Sequence, residues 1–471
     1  MRMARFPRRA VRLSQLAVWF ALCGTPAFGF GMTAAVMPGQ ANESELLVVL
    51  TKMPGTTVEA ANAPSEKAGN MPDATLAALD LADHTEFAPV TKKRLIVLVE
   101  AASVLNESAS NVQRGSLDLR WDTPLMGRLA DNWHLVFSDR FDGRVYSGLS
   151  ESRGVNTLRE AYVTYQPGYG MSIDVGRVNT RYGVAFGYNP TDFLGRGTVR
   201  SVISADPESL RNNRLGNAMV RLQQTSDKSA ITLIASPKLG DHPDDSGGSL
   251  DWGASNPRNR VLLAGSYRFA DNLNPQWLLF LEEGRSLQLG FNFSRVLSRS
   301  TLLYTEWAGG RQPLDWQTSL PASQQDIAWR NRVATGVTWT SEKGLTLRLE
   351  GQYDGSADNE RALSVLAAAP AYAMSLGNGS AGSSAQQALD WVAPRRSVLV
   401  QGYWTNVFDQ YDLNLIWQRD LQRQRNMGFA ELRRHIGPVD LALQWQRIYR
   451  LGLDRQIHAD QRWQVSCGYY F

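Results

Sequence analysis

Six stretches of this chain place apolar side chains at every second position, and no stretch approaches the roughly 18 consecutive apolar residues of a membrane-spanning helix. Leu117, Leu119 and Trp121 oppose Asp118 and Arg120, and Ala218, Val220 and Leu222 oppose Asn217, Arg221 and Gln223. Leu287, Leu289, Phe291 and Phe293 oppose Gln288, Asn292 and Ser294, and Leu345, Leu347, Leu349 and Tyr353 oppose Thr346, Arg348, Glu350 and Gln352. Leu413, Leu415 and Trp417 oppose Asp412, Asn414 and Gln418, and Val439, Leu441, Leu443 and Trp445 oppose Asp440, Gln444 and Gln446. A two-residue period belongs to a strand with two unlike faces. A soluble sandwich alternates too, but strands of about nine to eleven residues suit a tilted crossing of a bilayer. Trp121, Tyr353, Trp417 and Trp445 stand at the ends of apolar faces, where an interface girdle belongs.

The N-terminus predicts export. Arg2, Arg5, Arg8, Arg9 and Arg12 precede a short apolar stretch, Leu13 to Leu22, and Ala27-Phe28-Gly29 offers a small-x-small cleavage site. Leu22 sits where a lipoprotein signal needs a small residue before Cys23. Removing residues 1–29 removes five arginines and no acid, so the formal charge of +4 becomes 44 − 45 = −1. The basic pI therefore gives no ground for nucleic-acid binding. One cysteine, Cys467, then remains, which excludes an intramolecular disulfide. Residues 30–93 carry Met-Pro-Gly, Ala-Pro-Ser-Glu-Lys and Met-Pro-Asp with no sustained period, and read as a flexible periplasmic extension.

The chain ends inside a strand. Trp463, Val465, Cys467, Tyr469 and Phe471 share one face, and Gln464, Ser466, Gly468 and Tyr470 the other. With the alternating stretches and the leader, this closing strand resembles that of Gram-negative outer-membrane β-barrel proteins of the porin type. The resemblance is architectural, covers about residues 94–471, and rests on no diagnostic motif. It implies a location in the cell outer membrane, contact with outer-membrane lipid and lipopolysaccharide, and delivery by the barrel-assembly machinery, with Phe471 as the assembly signal. Its alternation of short periplasmic turns and longer outer loops matches the spacing here, apart from a short outer loop at 283–286. The expected fold is an all-β, transmembrane antiparallel barrel of about 18 strands, with 16 as the alternative because Leu95 to Ser103 alternates badly.

The segment 179–214 carries the expected site. It combines Asp192, Arg196, Arg200, Asp206, Glu208, Arg211 and Arg214, and Arg177 and Arg181 flank its start. It is the third outer loop in this count. In porins the third loop folds into the lumen, so the resemblance implies a constriction here. A charged, Gly- and Pro-containing loop is stable in a wet pore and costly in lipid. Asp118, Arg120, Asp174, Arg348, Glu350 and Asp440 are expected on the pore wall. The implied function is passive diffusion of small polar solutes. A dedicated exporter of a polymer or lipid-linked product, and a plugged surface-binding barrel, are the alternatives. Five histidines without a nucleophile motif give no enzyme site; His134 faces inward by parity. The run Asp241-His242-Pro243-Asp244-Asp245 lacks calcium-loop spacing, so neither metal nor cofactor is expected. Residues 359–374 read as a short helix in an outer loop. Solute identity and oligomeric state stay open.

Overall fold

The computed structural model describes residues 94–106, 111–124, 132–146, 152–244, 246–270, 272–318, 321–357, 394–408, 410–422, 425–451 and 457–471. The leader, the extension 30–93 and the helix expected at 359–374 lie outside the described residues. Eighteen antiparallel strands form one sheet. They are β1 (Arg94–Asn106), β2 (Val112–Pro124), β3 (Trp133–Tyr146), β4 (Ser152–Gly168), β5 (Met171–Val178), β6 (Asn217–Thr225), β7 (Ser229–Ser236), β8 (Arg260–Tyr267) and β9 (Gln276–Glu282). The rest are β10 (Gln288–Ser298), β11 (Thr301–Gln312), β12 (Ala328–Thr340), β13 (Leu345–Asp354), β14 (Arg396–Val407), β15 (Tyr411–Asp420), β16 (Asn426–Ile436), β17 (Val439–Leu451) and β18 (Ile457–Tyr470). Each strand pairs with its sequence neighbours, and β1 pairs with both β2 and β18. The sheet therefore closes on itself and leaves no edge.

The poorly alternating first stretch is a strand after all. Val99 and Leu105 point outward, while Ala102 and Val104 are buried on the inner face. Its partners set its register, Leu98 opposite Tyr470 and Leu98 opposite Asp118, so pairing on both sides does what its own pattern does not.

Burial is inverted relative to a water-soluble protein. On β13, Leu347 and Leu349 are 45% and 50% exposed, whereas Glu350, the next residue, is 0% exposed. Val220, Leu222, Ile231, Leu233, Leu279 and Leu415 likewise face out. Large apolar side chains exposed around a whole sheet need an apolar solvent, and a closed sheet is one of the two forms whose backbone can enter lipid. Two belts of aromatics bound this surface. Trp121, Trp133, Trp339, Trp404 and Tyr469 lie towards one end of the strands, and Trp329, Trp417 and Trp463 towards the other. The chain is a transmembrane β-barrel. No helix among the described residues is long and apolar enough to cross a membrane.

Candidate functional site

After β5 the chain leaves the sheet at Asn179 and returns at Asn217, which pairs with Val178. The thirty-odd residues between are not needed to connect the two strands, and they pack against the inner face. Phe193 and Leu194 bury against Ile234, Leu262, Leu278 and Phe280 of β7, β8 and β9. The Phe193 and Phe280 rings stack at 4.8 Å. Phe186 buries against Leu399, Ile416 and Phe429 of β14, β15 and β16. Ala185 packs on Tyr304 and Ala334 of β11 and β12. These patches lie on well-separated strands of the closed sheet, so the segment runs across the interior. Hydrogen bonds extend the contact to β18, where Gln464 Nε2 donates to the Ile203 carbonyl at 3.3 Å, and to β3, where Arg144 donates to Ser201 Oγ at 2.5 Å.

Two wall carboxylates hold the first turn of the segment. Glu306 of β11 accepts from the amides of Val184, Ala185 and Thr191 at 3.0, 3.1 and 2.7 Å. Glu350 of β13 accepts from the amides of Phe186, Gly187 and Tyr188 at 2.7, 3.1 and 3.0 Å. Two glycines permit this approach. Gly183 has φ +109°, and a Cβ there would meet the Glu306 carboxylate at 2.7 Å. A Cβ on Gly187 would meet Leu399 and Gln352 at 2.6 Å.

The segment's own chemistry is mostly spent on holding itself. Downstream, Asp206 caps a single helical turn, α1 (Pro207–Asn212), accepting from the Glu208 amide at 3.3 Å. Burial, with Glu208 and Glu431 nearby, pushes the Asp206 carboxyl up to about 6. Arg211 donates to the carbonyls of Ala185 and Phe186 at 3.1 and 2.8 Å. Arg214 pairs with Asp192 at 2.5 Å and donates to Asn179 Oδ1 at 2.9 Å. Arg200 ties the segment to the next outer loop. It faces Asp251 at 3.3 Å and donates to the carbonyls of Asn156, Ser249 and Asp244 at 2.8, 2.9 and 2.8 Å. That loop carries the short helix α2 (Trp252–Ser255). Arg177, fully buried, donates to Ser255 Oγ at 3.0 Å and stacks over Trp252. Arg181 keeps its side chain exposed to solvent. Arg196 is 47% exposed and meets Asp315 at 3.2 Å.

The sequence has no match among family models or curated proteins. Solved structures do match. One is Pseudomonas aeruginosa OpdL, 12% identical, covering 81% of this chain and 99% of that one, with a TM-score of 0.48. Another is Pseudomonas aeruginosa OpdK, solved with vanillate, at 10% identity, 81% and 98% coverage and TM-score 0.48. A third is the outer membrane protein OprD from Pseudomonas aeruginosa, at 9% identity, 80% and 94% coverage and TM-score 0.47.

The wall residues divide into two groups. Glu350 belongs with the clamp. The others sit on the inner face in mixed-sign clusters: Asp118 pairs with Arg159 at 2.8 Å, and Asp174 with Arg221 at 2.7 Å. Asp440 meets His435 Nδ1 at 2.6 Å and Arg433 at 3.4 Å, with Tyr470 donating at 3.2 Å. Arg348 donates to Gln401 at 2.7 Å and lies 4.7 Å over the Phe186 ring, so it bolsters the segment's second apolar patch. Arg120 is half-buried nearby on β2. Sequence reading missed Glu306 and the cluster of Glu100, Arg114, Arg140 and Asp142, in which Arg140 Nε meets Asp142 at 3.1 Å. The signal was available for Glu306, an acid at the inward parity between Tyr304 and Ala308. His134 is buried on the inner face of β3. Among the described residues no group of three His, Cys, Asp or Glu side chains is placed to hold a metal ion.

Proposed function

We propose that this chain is an outer-membrane, porin-like channel for passive diffusion of small polar solutes, with segment 179–214 as its constriction. The observation that carries the reading is the segment's place: apolar anchors on separated strands seat a charged stretch inside a barrel whose inner face is polar. A constriction with low-dielectric walls focuses the field of fixed charges, so few side chains set ion preference. Most of the expected arginines act as scaffold; Arg181 and Arg196 keep exposed guanidinium groups and are the pair proposed to favour anions. Transport, not catalysis, is the activity assigned, and the assembly machinery and lipopolysaccharide are the proposed partners of the outer surface. In proteoliposomes the purified chain should let small sugars and amino acids enter, with swelling rates that fall as solute size rises. Liposomes that swell no faster than protein-free ones would favour a plugged barrel that binds through its outer loops.

A further inference from the structure

We infer that Glu306 and Glu350 are positioning residues that set the width of the pore by holding residues 184–191 against the wall. The inference rests on the channel reading above. The amides of residues 184 to 188, five in a row, all point into these two carboxylates, together with the Thr191 amide. A turn crossing a barrel has no neighbouring strand to take its N–H groups, and buried amides need acceptors. A carboxylate suits this task because both its oxygens only accept. Neither oxygen is spare. Thr191 Oγ1 also donates to Glu306 at 2.8 Å, and the Tyr304 hydroxyl and Gln352 amide donate to Glu350 at 2.8 and 2.7 Å. Both side chains are 0% exposed, so no solvent competes for these bonds. Bonds to a charged acceptor are stronger than neutral ones. The apolar patches fix where the segment touches the wall, but dispersion is non-directional. The carboxylates fix its orientation.

Exchange of either Glu for Gln keeps the volume and turns one acceptor into a donor facing an N–H group. The segment should then detach locally while the barrel, held by its own ladder, stays closed. The test uses the full chain with Cys23→Ala, Cys467→Ala and Ala185→Cys, since Ala185 is 2% exposed under the clamp. Folded protein is selected by heat-modifiable mobility, and the single variants Glu306→Gln and Glu350→Gln are measured beside the double. Thiol labelling at residue 185 should accelerate roughly tenfold in the double variant, as local opening becomes easier, and single-channel conductance should rise with a noisier open level. Unchanged labelling and conductance in the double variant would overturn the inference. If the parent chain fails to conduct at all, the channel reading fails, while the labelling rate still decides whether these carboxylates hold the segment.

Discussion

Asp206 caps α1 with a carboxylate that burial, Glu208 and Glu431 push up to about 6, against an ordinary value of 3.8. A raised folded value means the proton binds the folded protein more tightly. The contribution to stability is full below about 3.8 and is lost as pH rises through about 6. As pH falls through that window the interior loses one negative charge, with Glu208 and Glu431 close by and Arg211 opposing them. Reversal potentials measured at pH 7 and pH 5 should therefore move towards anions on acidification. Asp206→Asn should already show the shifted value at pH 7 and remove this step. A step of undiminished size in Asp206→Asn would assign the response to other groups. The residue scale is also where the sequence hid most. Arg177, Arg200 and Arg214 look like pore charges because nothing in a linear pattern distinguishes a solvated guanidinium from one bound to carbonyls. Glu306 looks like any inward polar residue, since its partners lie more than a hundred positions away.

The strands were legible because lipid demands an apolar residue at every outward position, and that demand is written along the chain with period two. Ends were less so. Against the expected nine to eleven residues, β4 runs for 17, Ser152–Gly168, since the part beyond the bilayer band is free of the apolar rule. Inner-face apolar residues such as Leu262, Ala264, Leu278 and Phe280 blurred the alternation of β8 and β9, and they exist because Phe193 and Leu194 dock on them. At the last strand, Phe471 donates its amide to the Val97 carbonyl at 2.9 Å and sets its ring 4.6 Å from Tyr469, edge to face. Its 74% exposed side chain adds little to the closed barrel, so its proposed task is recognition before closure. Deleting Phe471 should lower the amount of folded protein in the outer membrane at constant transcript level, while the barrel that does form keeps its heat-modifiable mobility. Wild-type levels after deletion would remove Phe471 from that task.

At the scale of the whole molecule, a closed eighteen-strand wall surrounds one inserted segment that packs against its inner face. The wall satisfies its own backbone. The segment depends on the wall for apolar contact and for acceptors, and in return it covers the inward Leu262, Leu278 and Phe280 and supplies donors to Glu306 and Glu350. Because Val178 and Asn217 are already register partners, the residues between them can be replaced by an Asn-Gly turn without disturbing the ladder. Single-channel recording of the intact chain against this deletion decides whether the segment narrows the conducting path. The intact chain should form a steady, open channel and the deletion one with a conductance larger by a factor on the order of two, since an eighteen-strand barrel encloses a wide lumen when empty. Equal conductance in the two proteins would place the segment outside the conducting path and leave the pore without this constriction.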